Sequence, residues 1–287
     1  MIAIPLESFT NDMTFPFFIQ FGTHDEKMMM HSHADFSELV IILDGTATHI
    51  VENERYQISK GDVFVISNDT VHGYESAENF HICNIMFRLE NVFPKNYDIW
   101  NLPGFHALFV IEPYITRDHS FQSRLKLSML QLEHLKEQLT AMLEEYSKQT
   151  EGRKTYLLTS FLMIALELSR QYEMKPDSDQ QQYVHLANAV SYIEKNYAEY
   201  ITIDLLAKQA HLSSRQFSRL FREVYHDSPG NYLLHFRIQK AKVLLCNCEL
   251  TIAEIAYQCG FNDSNYFSRQ FLSATGVTPR TFRKQNS

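Results

Sequence analysis

From about Phe15 to Val110 the chain alternates short β-branched and aromatic runs with turn signals. Glu38-Leu39-Val40-Ile41-Ile42-Leu43 and Asp62-Val63-Phe64-Val65-Ile66 are two such runs, and Asp44-Gly45, Glu52-Asn53 and Lys60-Gly61 are the turns. Many short strands at regular spacing predict a sandwich or a barrel. The period then lengthens. Between Phe121 and Gln149, Leu125, Leu132, Leu139 and Tyr146 recur every seven residues with Leu135 and Met142 between them, which predicts a helix with one apolar seam. A second apolar helix is expected around Tyr156 to Tyr172. The stretch Glu173 to Gln182 carries a proline and no apolar period, and reads as a linker.

Beyond the linker every apolar period is helical, and the pattern occurs twice. Ser214-Arg215-Gln216-Phe217-Ser218-Arg219-Leu220-Phe221 is answered 50 residues later by Ser264-Asn265-Tyr266-Phe267-Ser268-Arg269-Gln270-Phe271. Ser228-Pro229 matches Thr278-Pro279 at the same offset. Ala207-Lys208-Gln209-Ala210 matches Ala256-Tyr257-Gln258-Cys259 one residue out of register. A fixed-period repeat marks a duplicated structural unit. Each copy reads as helix, turn, helix, with Phe217/Phe221 or Phe267/Phe271 inward at i, i+4 and Ser and Arg outward. Thr251-Ile252-Ala253-Glu254 is a capping box, Gly260 supplies a left-handed residue, and the two hydroxyl-Pro pairs start further helices. One amphipathic helix, Asn231 to Leu245, joins the copies; 15 residues at about 1.5 Å each make it a spacer of about 23 Å.

The net charge of −8 argues against a nucleic-acid partner until it is divided along the chain. From Tyr183 onward there are 12 Lys+Arg against 8 Asp+Glu, so that part is +4 and the remainder −12. The duplicated half can approach phosphate and the other half is repelled by it. No run of 18 apolar residues and no leader-like segment occurs, so neither a membrane span nor export is expected. Cys83, Cys246, Cys248 and Cys259 follow no zinc or disulfide spacing, which fits a reducing, cytoplasmic setting.

The second repeat carries a name. Ile255-Ala256-Tyr257-Gln258-Cys259-Gly260-Phe261, Asp263 to Phe271 and Gly276-Val277-Thr278-Pro279 closely resemble the signature of the AraC/XylS family of bacterial transcription regulators. The resemblance covers both repeats, about the last 105 residues, and the part before them is similar to the sensor domains of the rhamnose-responsive regulators. It implies two helix-turn-helix units joined by a long helix, with double-stranded operator DNA as partner. Carried over by position, Ser214, Arg215, Ser218 and Arg219 of the first recognition helix and Ser264, Asn265, Ser268 and Arg269 of the second would face the bases. The chemistry agrees, since Arg pairs bidentately with guanine, Asn with adenine, and Ser serves base or phosphate. The plainer alternative is a pair of solvated helix faces. Arg222 and Lys284 suit phosphate or plain surface.

The N-terminal part holds a second constellation. His31-Ser32-His33, Glu38 and Gly45 resemble the first cupin motif without its leading Gly. Gly61, Ser67 and His72 resemble the second, with Ser67, Asp69 and Ser76 where cupins carry Pro, Gly and Asn. Three uses of His31, His33, Glu38 and His72 stand open: a divalent metal site, an effector pocket, and satisfied core histidines. The preferred one is the effector pocket, with no metal or other cofactor; Phe36, Phe64 and Phe87 lie near it in sequence. Met28-Met29-Met30 reads as strand or rim.

The expected fold is therefore a two-domain α+β protein. Residues 1–172 form a cupin-like β-barrel with a helical dimerisation segment, 173–182 the linker, and 183–287 an all-α double helix-turn-helix domain. The expected function is a ligand-responsive, sequence-specific transcription regulator, an activator, not an enzyme. Its effector is a sugar or sugar derivative; a homodimer and RNA polymerase are its implied protein partners. The rival is a metal-dependent cupin enzyme, an isomerase or dioxygenase, with a helical appendage; it leaves the basic repeat unexplained.

Overall fold

The computed structural model describes every residue except 1, 11, 13, 25–28, 53, 69, 95–96, 115–124, 149, 173–180, 248 and 287. The chain divides into two compact units, Met1–Pro94 with Gly104–Lys175, and Lys95–Pro103 with Pro176–Ser287. Residues 173–180 of the expected linker, Met28 and Asp69 lie outside the described residues; 181 and 182 already belong to a helix.

The first unit is built on an eight-stranded sheet: β1 (Ile2–Ile4), β2 (Phe17–His24), β3 (His31–His33), β4 (Ser37–Val51), β5 (Glu54–Ser59), β6 (Asp62–Ile66), β7 (His72–Phe87) and β8 (Leu125–Lys126). The long strands β4 and β7 pair antiparallel from Ser37↔Phe87 to Val51↔His72, with register shifts between Ile42 and Thr48. Those bulges bend the pair, so its two halves take different neighbours: β6 and β2 at one end, β5 at the other. The sheet therefore rolls round one core, in which Val40, Ile42, Ala47, Ile58, Phe64, Ile66, Tyr74, Phe80 and Ile82 meet. Its other face is also covered, as Phe17 and Phe87 pack on Phe161.

Two expectations need correction here. Within the stretch expected to be strands, strand structure ends at Phe87; between it and Ile111 come short helical turns at Leu89–Val92, Pro103–Phe105 and His106–Ile111, a region punctuated by Pro94, Pro103 and Gly104. Gly104 passes so close to the second long helix that a Cβ there would stand 1.9 Å from the Ser169 carbonyl oxygen. Second, the helix expected from Phe121 is α1, Met129–Ser147, and Leu125 belongs instead to β8, opposite Val63. Residues 121–124 are outside the described set. The helix starts late because Ser128 and Gln131 form a capping box there. Leu132, Leu135, Leu139 and Met142 are buried where α1 packs on α2 (Arg153–Gln171) and β2, so the heptad seam is filled by its own chain.

The second unit is helical: α3 (Gln181–Lys195), α4 (Ile203–Gln209), α5 (Ser214–Tyr225), α6 (Pro229–Asn247), α7 (Ile252–Gln258), α8 (Ser264–Thr275) and α9 (Pro279–Asn286). Thr202 caps α4, Ser213 and Thr251 form capping boxes on α5 and α7, and Asp263 accepts from the backbone of Asn265 and Tyr266 at the start of α8. Ser228 and Thr278 accept from the backbone N–H groups of Asn231 and Thr281, two residues beyond their prolines. The two interhelical turns repeat bond for bond. Leu212 N–H donates to Ala207 O and His211 N–H to Lys208 O; Phe261 N–H donates to Ala256 O and Gly260 N–H to Tyr257 O. His211 (φ 52°) and Gly260 (φ 81°) occupy the same left-handed position, 49 residues apart.

Candidate DNA interface and effector site

In each helix-turn-helix copy the apolar stripe of the second helix is buried and its opposite face is open. Phe217, Leu220, Phe221 and Val224 lie inside on α5, as do Phe267 and Phe271 on α8; the latter pack with Ile238, Ala241, Leu245, Ile255 and Ala256. Arg215, Arg219, Asn265 and Arg269 are exposed. Arg219 is three-quarters exposed, at 75%, and lies 3.7 Å from Glu223 one turn on. Such an exposed pair is weak, so the guanidinium can exchange it for another acceptor.

The four serines are less open. Ser214, Ser218, Ser264 and Ser268 are half-buried; Ser214 donates to the Asp204 carboxylate of α4, and Ser268 to the Ser264 carbonyl oxygen at 2.8 Å. The long exposed side chains can reach outward, whereas Ser214 and Ser268 hold hydrogen bonds within the motif. The connecting helix α6 has 19 residues, more than expected from sequence, and spans about 28 Å at about 1.5 Å per residue. That is of the order of one turn of duplex, about 34 Å.

The N-terminal constellation assembles as well. β3 carries His31 and His33, β4 carries Glu38, and β7 begins at His72; His31 stands opposite His72 in register. His33 Nε2 is 3.2 Å from His72 Nε2, and Glu38 Oε2 is 3.6 Å from the first and 3.9 Å from the second. The donor atoms of His31, His33 and His72 all lie within 4.8 Å of one another. All four side chains are buried. His31 Nδ1 lies 3.1 Å from the Met29 carbonyl oxygen and donates to it, which leaves Nε2 as its free lone pair. His33 stacks on Phe36 at 4.3 Å between ring centroids.

Burial governs the protonation of this cluster. It pushes the Glu38 carboxyl up to about 8. It also lowers His33 to about 3, helped by the neighbouring His31, and holds His72 well below its usual value. His31 falls by burial against the opposing pull of its Met29 hydrogen bond. Water stabilises the charged forms better than this interior does, so three neutral imidazoles face one neutral carboxyl at pH 7.

Two members of the polar core escaped the sequence reading. His49, fully buried on β4, lies stacked between Phe64 and Tyr74 with both centroid distances 5.0 Å. Tyr74, on β7, has its hydroxyl pushed well above its usual value by burial and by Glu38. The parity of β4 changes at its bulges, so that Val40 and Ile42 point inward before them and Ala47 and His49 after them. An alternating pattern read through that point assigns His49 to the wrong face.

Comparison with known proteins agrees with both halves. Residues 17–161, just over half of the chain, match the AraC-like ligand binding domain family, and residues 206–285 match a helix-turn-helix domain family. Over 252 residues, 88% of this chain and 86% of the relative, the chain is 28% identical to the HTH-type transcriptional activator RhaS of Escherichia coli O1:K1 / APEC. Among solved structures, it is similar to the C-terminal domain of the response regulator yesN from Fusobacterium nucleatum, with 36% identity, TM-score 0.32, and coverage of 33% of this chain and 93% of that one. The apo form of a single-residue ToxT variant from Vibrio cholerae covers 94% of this chain and 98% of its own, at 14% identity and TM-score 0.36. No helix among the described residues is long and apolar enough to cross a membrane. With a ligand-binding domain of this family filling half its length and a duplicated helix-turn-helix unit after it, the chain belongs to the AraC family of ligand-responsive, DNA-binding transcription regulators, and is not an enzyme.

Proposed function

We propose that the protein is a cytoplasmic activator that responds to a sugar or sugar derivative and works on promoter DNA as a homodimer, with RNA polymerase as its protein partner. The observation that carries the DNA half is the pair of recognition helices, each with phenylalanines inside and Arg215/Arg219 or Asn265/Arg269 outside. Arg and Asn in these places suit bidentate readout of guanine and adenine. The half-buried Ser214, Ser218, Ser264 and Ser268 are read as orienting groups and phosphate contacts. Activation is the role given by name to the relative RhaS.

The effector reading rests on His31, His33, Glu38 and His72 with Phe36 alongside, since polar groups next to aromatic faces suit the hydroxyls and faces of a carbohydrate. The buried α1 seam removes the heptads as support for a dimer. What supports one is the exposed apolar set Met129, Leu130, Tyr156 and Met163 on α1 and α2.

The test is a mobility-shift titration of the full-length protein on the DNA upstream of its own operon, with and without a panel of sugars. The expected result is binding that weakens steeply with salt and changes at least tenfold with one sugar. Salt-independent binding, or none, would refute the DNA half; binding indifferent to the whole panel would refute the carbohydrate half.

A further inference from the structure

The two recognition helices match in shape and differ in chemistry. On each, three outward positions at i, i+4 and i+7 lie within about 60° of one another, on the side opposite the buried phenylalanines. In α5 they hold Arg215, Arg219 and Arg222; in α8, 50 residues on, they hold Asn265, Arg269 and Leu272. All six are exposed. Within its bounds α5 carries three arginines and Glu223, a balance of +2, whereas α8 carries Arg269 alone, whose charge the capping Asp263 cancels. Leu272 is 44% exposed. A lone exposed leucine is ordinary surface. This one continues the stripe of Asn265 and Arg269 by one turn, on the face that a helix-turn-helix lays in the major groove. Tyr266, the other exposed apolar side chain of that region, is turned aside to Phe261, with ring centroids 6.2 Å apart.

We infer that α8 reads a half-site containing adenine and thymine, with Leu272 packed on a thymine methyl and Asn265 bonded to adenine, while α5 reads guanine and supplies most of the electrostatic hold. The C5-methyl of thymine is the apolar group that base edges present in the major groove, and cytosine lacks it. A leucine on that face has no hydrogen bond to offer a phosphate or a polar base edge, so the methyl is the partner that suits it. Leu272 lies seven residues beyond Asn265, about 10.5 Å along the helix axis, or about three base pairs at about 3.4 Å each. Arg269 lies between them and suits a guanine. In α5 the place of Leu272 is taken by Arg222, which suits phosphate or a second guanine. This inference rests on the DNA reading above and adds the base composition of each half-site. Its consequence is direction: the half-sites are not interchangeable, so one chain binds its site in one orientation.

The test starts by letting the full-length protein select its site from random duplexes. Each thymine of the enriched site is then replaced singly by deoxyuridine, which lacks the methyl and changes nothing else. One replacement should weaken binding of the parent about fourfold, the effect of one buried methyl. Leu272→Ala should bind the thymine site about fourfold more weakly or worse, and should be indifferent to that same uracil. Asn265→Ala should relax the preference for an adenine about three base pairs away. Leu272→Arg should lose the uracil response and steepen the salt slope by about one, whereas Arg222→Leu should flatten the slope by about one and keep the uracil response. These side chains are at the surface, so the variants should melt as the parent does. An enriched site in which no single uracil weakens binding, or an equal uracil loss in the parent and Leu272→Ala, would overturn the thymine contact. So would a Leu272→Ala variant that binds DNA as the parent does and loses transcription with RNA polymerase alone, which would assign the leucine to a protein. Enrichment of no sequence at all would remove the DNA reading beneath the inference, a failure distinct from the others.

Discussion

Gly260→Ala tests whether the second helix-turn-helix copy depends on a close backbone approach that the first lacks. Gly260 sits at φ 81°, and a Cβ there would meet Ala198 O at 2.7 Å, Ala198 Cα at 2.8 Å and Tyr197 O at 2.8 Å. The left-handed conformation costs a residue with a side chain about 1–2 kcal/mol. The three contacts are with backbone, which cannot rotate away, and overpacking of this kind costs about 1–3 kcal/mol more. The expected loss is thus about 2–5 kcal/mol, which in a unit of about 100 residues lowers its melting temperature by at least about 8 °C. His211 provides the internal control. It holds the same turn position at φ 52°, stacked edge-on against His185 with centroids 4.5 Å apart. His211→Gly relieves about 1 kcal/mol of backbone strain and gives up a ring contact worth about 0.5–1.5 kcal/mol, so it should be nearly neutral. The assay is calorimetry of the full chain, following the transition of the C-terminal unit, together with footprinting on operator DNA. Gly260→Ala should lose protection in the half read by α8 before the half read by α5. A Gly260→Ala melt within about 2 °C of the parent, or an equal loss from His211→Gly, would refute the argument.

The other predictions concern DNA and helix ends. Arg219→Ala and Arg269→Ala should each weaken specific binding by about 1–3 kcal/mol and relax preference at two positions about one helical turn apart; loss of the same base pair in both footprints would contradict two separate insertions. Lys284→Ala, by contrast, should weaken all duplexes alike and reduce the salt slope by about one, measured by mobility shift over a range of salt concentrations. Asp263→Ala removes the acceptor for the Asn265 and Tyr266 N–H groups at 2.6 and 2.9 Å and should lower stability by about 1 kcal/mol in a urea melt; Asp263→Ser should restore most of it.

What the sequence disclosed and what it withheld divide along the range of the interactions involved. The repeat was legible because its signals are local: phenylalanines at i, i+4, a capping hydroxyl three residues before the N–H it accepts from, a glycine two residues after a helix. Each is complete within a single turn of chain. The heptad from Leu125 misled because it continues in phase across Ser128, where a capping box with Gln131 starts the helix and leaves Leu125 to pair with Val63. A hydrophobic period counts positions and is blind to the break between them. His49 and Tyr74 were hidden for a different reason: the bulges between Ile42 and Thr48 exchange the inner and outer faces of β4, and a bulge is set by pairing with β7, about 30 residues on. The four-residue cluster lies between these cases. Its members could be picked out by spacing, but the 3.2 Å contact between His33 and His72 exists only because β3 and β7 meet at His31↔His72, a pairing of residues 41 apart. Motif spacing therefore nominates such residues, while the strand register decides whether they come together at all.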